Sequence, residues 1–360
     1  TNWLHSSINK RIKLIMAFTT INKSTDYFDT KLYTGNNTSQ SITGLNFKPD
    51  WCWIKSRSNT EKHVLQDVLI GTGYELTSQD TSAQNPTSTS ITSFNSDGIT
   101  VGSANAVNDN SINYVNWNWK ANGAGSSNTD GSINTTYTSA NTTSGFSIST
   151  YTGTGANATI GHGLGVAPQV VIYKRTNTTG NWFMYNKNIG NTKYLNLDAT
   201  SAVQTYNVFQ NTDPSSTLLY VSGDSGANAS GGTYVAYCFA EKQGFSKFGS
   251  YTGNGNANGT FVYTGFKPAL VIFKKTSGTG GWNMFDTKRD PFNVQDQILR
   301  ANANNAEASD SGYSDNDFLS NGFKLRQTWG EMNGSGATYI YMAFAEAPLV
   351  GSNNVPATAR

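Results

Sequence analysis

Apolar residues in this chain fall into two kinds of short run, and each kind occurs three times. The first kind is continuous: Trp51 to Ile54, Val170 to Tyr173 and Leu270 to Phe273. Each lies between a proline (Pro49, Pro168, Pro268) and a lysine (Lys55, Lys174, Lys274). A strand with no polar face is covered on both sides. One face should therefore meet a local core, and the other a neighbouring unit or subunit. The proline suits the first position of such a strand, where no ladder donor is needed. The second kind alternates. Val115, Trp117 and Trp119 share one face of a predicted strand, as do Val235, Tyr237 and Phe239, and Ile340, Met342 and Phe344. A period of two marks a half-buried strand, so Asn116 and Asn118 are expected to face outward.

Between these runs the landmarks keep their order. A Tyr-Thr-Gly turn precedes each proline (Tyr33, Tyr151 and Tyr251 open the turns), and Phe47, Val166 and Phe266 stand two residues before it. Eight residues past each lysine come His63, Trp182 and Trp282, and a Leu/Ala pair seven apart follows: Leu76/Ala83, Leu195/Ala202, Leu299/Ala306. Such self-similarity marks an internal repeat. Helical periodicity is poor, although the Leu…Ala segment, as in 301–308, reads as a single helical turn. Short strands with Gly-, Asn- and Ser-rich turns indicate sandwiches or jelly rolls. The expected architecture is all-β: three tandem β-sandwich, jelly-roll-like modules over 16–120, 145–243 and 244–348. Residues 121–144 carry scarcely an apolar side chain and read as a flexible linker. Residues 1–15 match no part of the repeat and read as an extension or arm before Met16, and 349–360 as a tail. On this reading Trp51, Trp53, Trp117, Trp119, Trp182, Tyr237, Phe239, Trp282, Met342 and Phe344 form the repeat cores.

Charge is scarce, at 13% of residues with a net of +2, against about 25% in an ordinary soluble domain. A neutral Asn/Ser/Thr/Gly surface lacks the field that steers proteins to nucleic acid or anionic lipid. No apolar run approaches the ~20 residues of a spanning helix. Neither nucleic acid nor membrane is an expected partner. Cys52 and Cys238 fall on non-equivalent strands and read as two free buried thiols.

Candidate chemistry is thin. His63 takes a position that Trp fills elsewhere and reads as packing, while His162 sits in a glycine-flanked turn. Neither stands at zinc-ligand spacing. An acid pair such as Asp286 and Asp290 is the best glycosidase candidate, though two acids converging in a groove are needed. Asp213, Asp224, Asp310 and Asp315 offer oxygen atoms suited to calcium, but their spacing matches no loop motif, so no cofactor is expected. Loop aromatics Tyr313 and Trp329 are the candidates for stacking on a glycan.

Several strings carry a family likeness. Gly145-Phe146-Ser147-Ile148, Tyr151-Thr152-Gly153 and His162 to Pro168 resemble a repeat module of virion proteins of tailed phages, marine ones especially. So do Phe248 to Gly253, Gly265 to Pro268, Phe318 to Leu325 and Tyr339 to Ala347. The resemblance covers the chain after residue 15 and is most specific over the second and third modules. It implies a non-enzymatic virion structural protein: a tail fibre, tail-tip or capsid-surface appendage. It further implies other virion proteins as partners, a homo-oligomer such as a trimer, and adsorption to host glycans. A secreted or cell-surface carbohydrate-binding adhesin is the alternative, and a polysaccharide depolymerase the third reading.

Overall fold

The computed structural model describes residues 19–309, 312–350 and 357. The expected extension, 1–15, and most of the tail lie outside them. The protein is built from antiparallel sheets, with helix limited to single turns. Three large sheets share one strand order. In the first it is Phe28–Thr34, Asn113–Trp119, Trp51–Ser56, Val64–Asp67. In the second it is Phe146–Thr152, Thr233–Phe239, Val170–Arg175, Trp182–Asn186, and in the third Ser246–Thr252, Thr338–Pro348, Phe266–Lys275, Trp282–Asp286. Register matches as well: Trp53 lies opposite Trp117, Ile172 opposite Tyr237, and Ile272 opposite Met342. Each sheet then runs on through its leucine, by the pairs Leu65–Leu76, Met184–Leu195 and Met284–Leu299.

The continuous apolar strands explain the layering. Alternate side chains of a strand point to opposite faces, so a run without polar residues needs two covers. Val171 and Tyr173 enter a cluster with Ile160, Leu219 and Val221 of the small sheet Ala158–Gly161/Leu218–Val221. Val271 and Phe273 do the same with Val262, Phe318 and Phe323, and Cys52 and Ile54 with Ile42, Ile91 and Ile99. The other face of all three sheets meets in one central cluster. Trp51, Trp53, Trp117, Trp119, Trp182, Tyr237, Phe239, Trp282, Met342 and Phe344 all lie in it. Trp51 stacks on Tyr237 at 4.5 Å between ring centroids, Phe28 on Phe344 at 5.2 Å, and Trp119 meets Phe344 edge-on at 5.5 Å. Such pairs add about 0.5–1.5 kcal/mol each beyond area burial. The space left at the centre is about 10 Å³, at the lower limit for a single water.

Polar groups at the seams close the arrangement into a circle. Trp182 Nε1 donates to Thr77 O at 2.8 Å, and Trp282 Nε1 to Asn196 O at 2.9 Å. His63, at the equivalent place, sets Nε2 3.0 Å from both Arg300 O and Ala303 O. Its Nδ1 accepts from Trp53 Nε1 at 2.8 Å, so the ring is neutral with its proton on Nε2. The second sheet thus bonds the first, the third bonds the second, and the first bonds the third. Burial, reinforced by the Lys55 ammonium, pulls the His63 pKa down to about 3. Lys55, Lys174 and Lys274 are themselves buried, and burial lowers each to about 8. Lys174 Nζ donates to Thr81 O and Gly180 O, and Lys274 Nζ to Thr200 O and Gly280 O. Lys55 instead bonds Ser56 O and Asn59 O within its own third.

A second set of seam contacts lies deeper. Trp117 Nε1 donates to Asp286 Oδ2 at 3.2 Å, and the Tyr237 hydroxyl to Asp67 Oδ2 at 2.6 Å. Met342 occupies the equivalent strand position in the third sheet, opposite Ile272. It has no donor to offer, and the residue standing where the acids stand is the neutral Asn186, whose buried Nδ2 finds no partner. A buried charge without a donor would be costly, which accounts for an amide there.

Four expectations are corrected. Residues 121–144 are not free chain: Tyr137–Asn141 pairs along Phe146–Thr152 as an added edge strand, and Ile133 is buried beside Ile160. The Leu…Ala segments form no helical turn. The α-helical turns fall at Asn105–Asn108 and Ser225–Asn228, ahead of the alternating strands, and a 3-10 turn at Ser24–Asp26. Those alternating strands are buried on both faces, with Tyr114, Tyr234 and Ala236 in the outer clusters. Asn116 and Asn118 point inward. Asn116 Nδ2 donates to Asn118 Oδ1, Asn118 Nδ2 donates to Asp29 O and Asn116 O, and Cys52 Sγ donates to Asn118 Oδ1. Mutual hydrogen bonding lets amides occupy a position that alternation assigns to solvent.

Candidate functional site

Each Tyr-Thr-Gly turn is held by an asparagine just ahead of the alternating strand, which closes a helical turn in the first two units and lies in a bend in the third. Asn108 Oδ1 accepts from Asn36 N, Asn228 Oδ1 from Thr154 N, and Asn333 Oδ1 from Asn254 N. Their amide nitrogens donate back to Gly102 O, Ser222 O and Gln327 O. Six residues beyond each Asn is a tyrosine that stacks on the tyrosine of the turn. The pairs are Tyr33–Tyr114, Tyr151–Tyr234 and Tyr251–Tyr339, at 5.2, 5.2 and 4.9 Å. The glycine is obligatory, since a Cβ on Gly153 would lie 2.4 Å from Ala229 O.

These turns open onto the seams, where they border two grooves made from equivalent positions. The groove between the first and second thirds, about 280 Å³, is lined by Ile70, Tyr74, Gln84, Tyr137, Thr152 and Thr176 among others. None of its lining residues is charged. The groove between the second and third thirds, about 420 Å³, has Ile189, Lys193, Val203, Thr252 and Thr276. Matching hydrogen bonds fix both: Gln84 N to Thr176 O at 2.9 Å, Val203 N to Thr276 O at 3.1 Å. Threonine pairs line each, Thr176–Thr233 at 2.6 Å and Thr276–Thr338 at 2.7 Å between hydroxyls.

The third seam keeps the backbone bond, Glu307 N to Arg57 O at 2.8 Å, but fills the space with charge. Arg57 takes the threonine position and pairs with Glu307 at 2.6 Å. Arg289 Nη1 reaches Glu307 at 2.8 Å while its Nε bonds Asp286, and its guanidinium covers the Trp117 ring at 5.7 Å. Burial raises the Glu307 pKa, but Arg57 and Arg289 outweigh it and hold the carboxyl below its usual range.

The residues singled out from sequence distribute as follows. Tyr313 is exposed in the turn after 311, whereas Trp329 is half-buried with the Arg300 guanidinium 5.5 Å from its ring centroid. One face of that indole is therefore occupied. Asp286 is fully buried in the ion-pair network, and Asp290 accepts from Asp296 N, so the two serve separate structural bonds. Asp213 accepts from the Tyr185 hydroxyl, Asp224 caps Gly226 N, and Asp315 accepts from Gly312 N. Asp310 lies outside the described residues. Among the described residues no three His, Cys, Asp or Glu side chains converge as a metal site, and no helix is long and apolar enough to cross a membrane. Both cysteines are free and buried. His162 is buried in its turn, accepting from Leu164 N at Nδ1.

Sequence reasoning missed the grooves, the turn asparagines and the Arg57–Glu307–Arg289 network. An available signal was the Asn…Tyr spacing of six, present three times before the alternating strands. The network had no signal, because its partners are 250 residues apart.

Neither curated proteins nor solved structures match this chain. A family model does, over residues 23–348, which takes in all three large sheets; the chain belongs to the family described as a domain of unknown function, DUF7483.

Proposed function

We propose that this protein is a non-catalytic structural component of a tailed-phage particle, a tail fibre, tail-tip or capsid-surface appendage, that adsorbs to host glycans. On this reading it is three copies of one β-sandwich unit, closed on a shared core. The observation that carries the repeat is the equivalence of the seams, with Trp182, Trp282 and His63 donating to the residue after Leu76, Leu195 and Leu299 or its near neighbour. Buried aromatic packing and cross-seam hydrogen bonds make a rigid, protease-resistant body, as a projecting appendage requires. The likeness of the Tyr-Thr-Gly, Gly-Phe-Lys-Pro and Tyr339 to Ala347 strings to phage virion modules supplies the context. The uncharged groove between the first and second thirds, with threonine and tyrosine walls, suits neutral sugar hydroxyls better than charged ligands, which favours the adhesive role.

Mass spectrometry of purified particles, with immunogold labelling, tests the reading. The protein should co-purify with intact particles, and gold should decorate a defined appendage. Gold on the bacterial envelope with none on particles would replace it with the cell-surface adhesin.

A further inference from the structure

The first-to-second groove differs from its equivalent in one wall. The interval between repeat prolines is 168 − 49 = 119 residues here and 268 − 168 = 100 in the next unit. Part of the extra chain becomes the edge strand Tyr137–Asn141, and Tyr137 lines the groove. Tyr74 lines it too, from the first third, at the position that Lys193 holds in the other groove. The two tyrosines are 42% and 48% exposed, against 0% to 1% for most of the core aromatics. Exposed phenol rings lose apolar stabilisation that burial would supply, so their placement on one groove asks for a ligand with an apolar face and hydroxyl edges. Around them stand Gln84, Thr136, Thr152 and Thr176, which donate and accept without charge. An anion or cation would find no opposite charge among the lining residues.

We infer that this groove is a subsite for a neutral oligosaccharide, gripped by Tyr74 and Tyr137 and hydrogen-bonded by the threonine and glutamine walls. The inference rests on the adhesive part of the function proposed above and assigns it to one seam. The second groove, with Lys193 for Tyr74 and without the added strand, lacks both platforms. The third is filled by its ion pairs. One chain therefore carries one such subsite.

The test uses the full chain and isothermal titration with cellotetraose, maltotetraose and N-acetylchitotetraose, with tetragalacturonate as the charged probe. At least one neutral probe should bind with a Kd of about 1 mM or tighter. Tyr74→Ala and Tyr137→Ala should each weaken it about tenfold. Tyr74→Phe and Tyr137→Phe, which keep the rings, should retain it, and Lys193→Ala should leave it unchanged. Since both tyrosines are half-exposed, thermal melts of the variants should match the parent. Absence of binding by all three neutral probes, binding of tetragalacturonate alone, or binding that survives the double alanine variant would overturn the inference. Particle labelling is independent of all these outcomes, so failure here leaves the structural role standing and failure there leaves the subsite standing.

Discussion

Acid should loosen this protein through His63 from about pH 6.5 downward. The ring is fully buried, accepts from Trp53 Nε1, and donates across the seam to Arg300 O and Ala303 O. A second proton on Nδ1 would turn that acceptor into a donor facing a donor, beside the Lys55 ammonium. The folded pKa of about 3 lies below the ordinary 6.5. The unfolded chain therefore binds the proton first as pH falls. The contribution is complete above about pH 6.5 and is lost progressively toward pH 3, at about 1.4 kcal/mol per pH unit. At pH 5 the loss is about 2 kcal/mol. Urea unfolding between pH 8 and 5 on the parent and on His63→Gln measures it. Gln can supply a donor and an acceptor but does not titrate. His162, whose pKa burial also lowers, contributes to both curves and cancels in the difference. The parent's advantage over the variant should shrink by about 2 kcal/mol across the range. A difference that stays constant with pH would refute the neutral, seam-bonded imidazole.

Other perturbations probe the remaining seams. Glu307→Ala removes the cross-seam partner of Arg57 and leaves buried Arg289 with Asp286 alone, and should cost about 3–5 kcal/mol in urea unfolding. Because the Glu307 carboxyl is held below its usual range, its contribution is present above the unfolded pKa and disappears as pH falls through the folded value. Stability curves below pH 5 on the parent and Glu307→Gln should converge accordingly. Tyr237→Phe removes the donor to buried Asp67 and should cost about 1–3 kcal/mol. Adding Asp67→Asn in that background should recover part of the loss, since it recreates the Met342/Asn186 seam, and a further loss on chemical denaturation would contradict the account. Asn228→Ala should cost about 2 kcal/mol and speed hydrogen exchange at Thr154 N. Unchanged exchange there would mean the turn is held by something else.

Periodicity made the strands readable, and composition set the fold class, because both depend on local alternation and turn chemistry. Val170 to Tyr173 announced a doubly covered strand, and the central cluster supplies its second cover from within the chain. Polarity misled where buried amides bond one another: Asn116 and Asn118 look like surface residues because sequence does not show that each is the other's partner. The segment 121–144 failed for a related reason. Its threonines and serines pair through backbone atoms along Phe146–Thr152, and backbone bonding leaves little trace in composition. The candidate site was the least legible. Tyr313 and Trp329 read as loop aromatics, whereas the exposed pair lining the first groove is Tyr74 and Tyr137, brought together from two thirds of the chain. Only a seam makes them neighbours.

Closure has an evolutionary corollary. In an open solenoid each end can accept another copy, so repeat number drifts freely. Here the last sheet bonds back to the first through His63 and Arg57, and the aromatic centre has room for nothing more. A fourth large sheet would have to break an existing junction, and losing one would leave a wide apolar flank wet. Lineages carrying this arrangement should therefore vary their loops and edge strands while holding the number of large sheets at three.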